Sequence, residues 1–236
     1  MTLRLVGGLP TRTIRMRSRV SISSSDMEPA RLGQLIQDEA PLDFFVLVDP
    51  DNFLVQISMG RAGGFLGGPL EAGDDTPGNL MFLPNPNLRP IGVTPFHLRI
   101  TQHYRAEYNL ELLRHQAFSL HPSRLHALFL FDCREDAERY RELHPKHVGG
   151  RVLKRGVSAG RYKYSAHDGA WIDFLRIGHS VDEDTMEGCG RGYWLGRKAD
   201  EVEFHSMGKP WEAQSFREIL FYGRINFPNR DPSVAD

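Results

Sequence analysis

Phe118-Ser119-Leu120-His121-Pro122-Ser123-Arg124-Leu125-His126-Ala127-Leu128-Phe129-Leu130-Phe131 runs directly into Asp132-Cys133-Arg134-Glu135-Asp136-Ala137, and this stretch decides how the chain is read. Leu125 to Phe131 is an apolar run of strand length. Asp132-Cys133-Arg134-Glu135 then supplies a helix start of capping-box type, with Asp132 as the cap and Glu135 reaching back. Cys133, Ala137 and Tyr140 fall at i, i+4 and i+7, so the helix presents one face to the strand it follows.

Working outward, the N-terminal side reads as a short helix over Arg31 to Ala40. A β-hairpin follows, in which Phe44 to Val48 and Phe53 to Ser58 flank the turn residues Asp49-Pro50-Asp51-Asn52. Glycine and proline recur from Gly60 to Pro95, including Gly63-Gly64 and Gly67-Gly68, which predicts a long loop able to bring backbone N–H groups near a phosphate. A solvated glycine-rich loop has the same composition. His103 to His115 reads as a helix on the recurrence of Tyr104, Tyr108 and Leu112 every four residues. Beyond the central unit the chain reads mainly as strand: Val152 to Val157, Tyr162 to Tyr164, Trp171 to Ile177, Val202 to His205, Glu218 to Tyr222 and Ile225 to Phe227. Helices early and strands late make an α+β fold, with helices on a split antiparallel or mixed sheet.

The chain has 236 residues, with 29 basic against 30 acidic side chains and a formal charge of -1. That length suits one domain over 26–236 carrying extended loops, and the balance shows no global attraction to nucleic acid, although local patches stay open. Residues 1–25 hold Arg4, Arg12, Arg15, Arg17 and Arg19, five serines and no acid, the composition of a basic arm, an edge strand or a transit segment. Cys133 and Cys189 stand far apart, so neither a disulfide framework nor a zinc site is expected, and a reducing cytoplasm fits. His144 and His147 come closest to a ligand pair, but Pro145 breaks the helix that would align them. No apolar run approaches the ~20 residues needed to cross a bilayer. Phosphate-loop, dinucleotide-fold, nucleophile-elbow and zinc-protease signatures are all missing.

The central stretch also carries a resemblance. Glu111, Arg114, Phe118, Pro122-Ser123-Arg124, Ala127 to Phe131 and Asp136-Ala137, followed by Tyr193-Trp194-Leu195-Gly196 and Glu218-Ile219-Leu220-Phe221-Tyr222-Gly223, resemble in order a bacterial family of unknown function that is similar to the ADP-ribosyltransferases. The resemblance spans residues 44–227. It implies a transferase using NAD as co-substrate, with Glu218 as catalytic carboxylate. Arg124 and Ser123 would be placed at the pyrophosphate, and Tyr193 and Trp194 against a flat ring. Related enzymes carry a His or Arg on the first core strand, where Phe44 to Val48 has neither; His97 and Arg99 in Phe96-His97-Leu98-Arg99-Ile100 are the substitutes the sequence offers.

Chemistry supports such a role for Glu218 independently. Breaking the nicotinamide–ribose bond develops positive charge on the sugar, which a fixed carboxylate stabilises. Arginine presents paired donors to phosphate oxygens, and aromatic faces cover flat rings. Each residue also has a structural alternative: Glu218 on the polar face of an edge strand paired with Arg217 or Arg224, Arg124 as a partner of Glu111 or Asp132, and the aromatic pair as core. Three functions therefore stand as expectations. The first is ADP-ribosyl transfer from NAD to a protein or nucleic acid. The second is a nucleotide- or partner-binding module without chemistry. The third, transfer between nucleic-acid phosphate and NAD, requires further arginines near Arg124.

Overall fold

The computed structural model describes residues 30–68, 86, 95–177, 183–206 and 209–228. The basic segment 1–25 and most of the glycine- and proline-rich stretch lie outside the described residues. The architecture is α+β, built on a six-stranded antiparallel sheet.

Two long strands form its spine. β5 (Val152–Asp168) and β8 (Arg217–Asn226) pair antiparallel, setting His167 opposite Glu218 and Ser165 opposite Leu220. The sequence breaks read between Val157 and Tyr162, and between Tyr222 and Ile225, are not strand ends. The register of β5 shifts between Ala159 and Lys163, where Gly160 takes φ 68°, so an irregularity absorbs the turn-like residues within one strand. β1 (Leu35–Asp38) and β2 (Asp43–Val48) both pair with β5, while β3 (Gly64–Gly67) and β4 (Leu128–Leu130) both pair with β8. The sheet also curls on itself: Phe45 and Phe131 exchange backbone hydrogen bonds of 2.7 and 2.8 Å, joining β2 to the end of β4. All strand pairs are antiparallel, so the mixed sheet is not observed.

Alternation along β8 divides the interior in two. Ile219, Phe221 and Ile225 pack with Phe44, Val46, Leu130, Tyr162 and Tyr164 inside the curl. Leu220 faces the helices, joining Ala106, Leu110 and Leu113 of α2 (Pro95–Ala117), Trp171 and Phe174 of α5 (Ala170–Ile177), and Tyr193 and Trp194 of α6 (Glu183–Leu195). The packed face of α2 is thus Ala106-Leu110-Leu113. Tyr104 and Tyr108 do share a face, with rings 5.9 Å apart, but Leu112 on it is 38% exposed.

Other expectations are corrected. Residues 35–38 form a strand within the stretch read as a helix. Phe53 to Ser58 begins α1 (Phe53–Ala62) rather than a hairpin arm, because the Asn52 side chain accepts hydrogen bonds from the N–H groups of Leu54 and Val55 and so caps a helix. Gly63 closes that helix in the left-handed conformation and Gly64 to Gly67 is β3, not loop. Trp171 to Ile177 is helical. Asp132 does not cap α3 (Arg134–Leu143): the Cys133 sulfur accepts from the Asp136 N–H instead, and Asp132 accepts from Arg217 Nε at 2.6 Å. Ala137 and Tyr140 of α3 do pack beside Phe131, as the strand-to-helix reading requires. After the single turn α4 (Pro145–Val148) the chain enters β5; the short hairpin of β6 (Phe204–Ser206) and β7 (Lys209–Trp211) precedes β8. No helix among the described residues is long and apolar enough to cross a membrane.

Candidate functional site

A cavity of about 380 Å³ opens beside the start of β8, and Glu218 and Arg124 both line it. Each is held there for a reason visible in the chain. Glu218 sits on the helix-facing side of a central strand, one residue after Arg217, whose side chain goes to the opposite face and reaches Asp132 and the carbonyl of Ala30. Glu218 is therefore not an edge-strand acid, and its partner is neither Arg217 nor Arg224.

Arg124 owes its place to the segment before it. In α2, the buried Arg114 is paired with Glu111 at 2.8 Å and donates from Nη1 to the carbonyls of Ser119 and His121, which fixes the loop leaving the helix. Ser123, fully buried, donates its N–H to the Tyr222 hydroxyl at 2.8 Å and accepts at Oγ from the Leu125 N–H. Its side chain does not line the cavity. Two successive anchors thus aim the next side chain inward.

The guanidinium of Arg124 meets three partners. Nε and Nη2 donate to the two oxygens of Glu107 at 2.8 and 3.2 Å, and Nη1 donates to the Tyr193 hydroxyl at 2.7 Å and to Glu218 Oε1. Tyr193 in turn donates to that same oxygen at 2.6 Å. Oε1 is therefore fixed twice, while Oε2 accepts no hydrogen bond from the described residues. Burial alone would lower the pKa of Arg124, but the carboxylates of Glu107 and Glu218 outweigh it and hold the group well above its usual value. Burial also leads in raising Tyr193 well above the ordinary phenol, with Glu218 adding to it. Burial would likewise raise Glu107; Arg124 and Arg176 reverse that and keep it low, hence ionised.

The remaining sequence candidates fall elsewhere. Trp194 is 1% exposed, donates its indole N–H to the Leu110 carbonyl at 3.1 Å and stacks on Phe118, so it belongs to the core between α2 and α6. The Tyr193 ring is equally enclosed, stacked 4.4 Å from His167 with the Arg124 guanidinium 5.3 Å from its centroid, and its hydroxyl hydrogen-bonds within the cluster. His97 lies in the first turns of α2, where side chains are outside the described residues; the segment Phe96 to Ile100 is helical rather than extended.

Four residues of the cavity wall were not singled out from sequence, Glu107, Arg151, Asp173 and Arg176, while Tyr140 was read only for packing and His147 only as half of a broken ligand pair. Glu107 had a signal. Glu107, Glu111 and Arg114 recur at i, i+4 and i+7 along the packed side of α2, where three charges on an inward helix face must find partners. Arg176 Nη2 donates to Glu107 Oε1 at 2.9 Å, so one carboxylate joins two arginines. Asp173 is bound by His144 Nε2 at 3.0 Å, and that hydrogen bond, outweighing burial, raises the pKa of the imidazole. Nearby, Asp132, Cys133 and Asp136 have ligand-type atoms within 4.8 Å of one another. Those atoms are already engaged: Cys133 Sγ donates to Asp136 Oδ2 at 3.1 Å, Arg217 holds Asp132, and burial pushes the thiol up to about 12.

No family model matches the chain, and no curated protein matches it.

Proposed function

We propose that the chain transfers ADP-ribose from NAD to a macromolecular acceptor, with Glu218 as the carboxylate beside the donor ribose. One observation carries the reading: Glu218 is locked through Oε1 by Tyr193 and Arg124, keeps Oε2 without a hydrogen bond from the described residues, and lines a cleft. That is the arrangement a developing positive charge needs, since a preorganised anion costs no reorientation as the sugar ionises. In the reaction the nicotinamide nitrogen leaves with the electron pair of its bond to the ribose C1′. An acceptor nucleophile then bonds to that carbon and gives up its proton. Arg124 serves this reading as the group that orients Glu218, because its fork is already occupied by Glu107, Tyr193 and Glu218. A cavity of about 380 Å³ accommodates one end of a dinucleotide; sites for whole small molecules run from ~300 to ~1,000 Å³. The ordered resemblance of the Pro122-Ser123-Arg124, Tyr193-Trp194 and Glu218 segments points the same way.

The test is nicotinamide release from NAD, with and without cell lysate as a source of acceptor. Glu218→Gln keeps the side-chain shape and removes the charge, so turnover falls by about 10²–10³. Equal turnover by both proteins would remove Glu218 from the chemistry.

A binding module without chemistry is the second reading, favoured by the mutual neutralisation of Arg124 and Glu218. Saturable NAD binding with no nicotinamide release under any acceptor condition would select it.

A further inference from the structure

Two arginines of the cleft have more hydrogen-bonding capacity than the protein uses. Arg151 follows Gly149-Gly150 between α4 and β5, and Arg176 ends α5, so the chain brings them to the cavity from different elements. Among the described residues the Arg151 guanidinium forms no ion pair or hydrogen bond, although the residue is only half-exposed. Arg176 gives one N–H to Glu107, and its Nε is buried with no hydrogen-bond partner among the described residues. An orphaned donor of this kind is destabilising unless something outside the protein accepts from it. Two acids on the same wall are already committed, Glu107 to Arg124 and Arg176 and Asp173 to His144, while Glu218 is engaged through Oε1. His147, on the same wall, reports the resulting field. Burial first, then Arg151 and Arg176, push its pKa below the ordinary imidazole value.

We propose that Arg151 and Arg176 form a phosphoryl-binding subsite in the cleft that Glu218 lines, taking the phosphate or diphosphate group of a ligand. The guanidinium fork matches two phosphate oxygens at once, which a lone ammonium does not. Arg124 is left out of this role because four of its five N–H donors go to Glu107, Tyr193 and Glu218. The identity of the ligand as a dinucleotide donor rests on the transferase reading; the subsite itself rests on the two arginines. The phosphoryl group could belong to the donor or to an acceptor, and competition separates the two.

Calorimetric titration of the full chain with ADP, inorganic pyrophosphate and adenosine tests the subsite. ADP and pyrophosphate are expected to bind, and adenosine to bind far more weakly. Arg151→Ala removes no ion pair among the described residues, and should weaken ADP by about tenfold or more. Arg151→Glu should weaken it further, and Arg176→Lys, which keeps the charge and loses the fork, should weaken it less. Displacement of ADP by NAD places the group on the donor; simultaneous binding of both places it on an acceptor. ADP affinity that ignores Arg151→Glu, adenosine binding as tight as ADP, or no binding of either phosphate ligand would overturn the subsite. Nicotinamide release with Arg151-independent ADP binding defeats the subsite alone. Arg151-dependent ADP binding without release defeats the transferase reading alone.

Discussion

The Tyr193 hydroxyl accepts from Arg124 Nη1 at 2.7 Å and donates to Glu218 Oε1 at 2.6 Å, so a neutral group is wedged between two that already pair directly. A buried phenol in this position has one orientation available. Its proton points to the carboxylate because the guanidinium has only donors to offer. The consequence is that Glu218 accepts twice through Oε1 and is held in a fixed rotamer.

Tyr193→Phe tests that role. The ring still stacks on His167, but two hydrogen bonds to charged groups disappear, at an expected cost of about 1–3 kcal/mol in urea unfolding. Nicotinamide release should fall by about tenfold, the equivalent of ~1.4 kcal/mol at the transition state. A variant as stable and as active as the native protein would show that the hydroxyl does not order the carboxylate.

Glu107→Gln leaves Arg124 and Arg176 sharing less negative charge in a poorly solvated wall. Breaking a buried pair by neutralising one partner costs about 3 kcal/mol. Combining it with Arg176→Met should recover part of the loss, since Glu107 holds the one ion pair Arg176 makes among the described residues. Strict additivity of the two changes in chemical denaturation would contradict the coupling.

Acid should destabilise the protein partly through His167. This residue is fully buried, bonded through its ring nitrogens to the Tyr193 carbonyl at 2.9 Å and Ser165 Oγ at 2.8 Å. Burial drives its pKa down from 6.5 to about 3. The folded-state value is depressed, so the unfolded chain takes up the proton first. The contribution is intact above pH 6.5 and is lost as the pH falls towards 3, by about 1.4 kcal/mol for each pH unit. His167→Gln should flatten this limb when unfolding midpoints are measured against pH. A wild-type profile flat from 6.5 to 5 would contradict the assignment.

How far the sequence discloses this molecule depends on which interactions decide each segment. Leu128 to Leu130 followed by a helix with Ala137 facing inward is readable because both elements are set by local pattern. Trp171 to Ile177 is not, because its five apolar residues include strand formers in a short run, and the helical i, i+3 spacing of Asp173 and Arg176 is too brief to outweigh them. Asp49 to Asn52 misleads for a related reason: the side-chain chemistry that makes a turn also caps a helix, and here Asn52 does the latter. At the site, Glu218 and Arg124 are legible as a pair of candidates, and the structure brings them together. Arg151 and Arg176 are not, since nothing within their own segments marks them, and Glu107 is marked only by its i, i+4, i+7 spacing with Glu111 and Arg114; all three acquire meaning when α2, α5 and the entrance to β5 converge. Trp194 fails in the opposite sense, as an aromatic whose partners turn out to be other parts of the core.

Glu218 stands on β8, which is bordered by β5 along one edge and by β3 and β4 along the other. No single loop owns that strand, so none can drag the acid out of place when it changes. Arg151 lies instead where a glycine pair leads into β5, with no ion pair inside the described fold to sacrifice. Ligand preference can consequently drift through exchanges at the rim while the chemistry keeps its seat, as a lathe keeps its bed when the cutting tool is swapped.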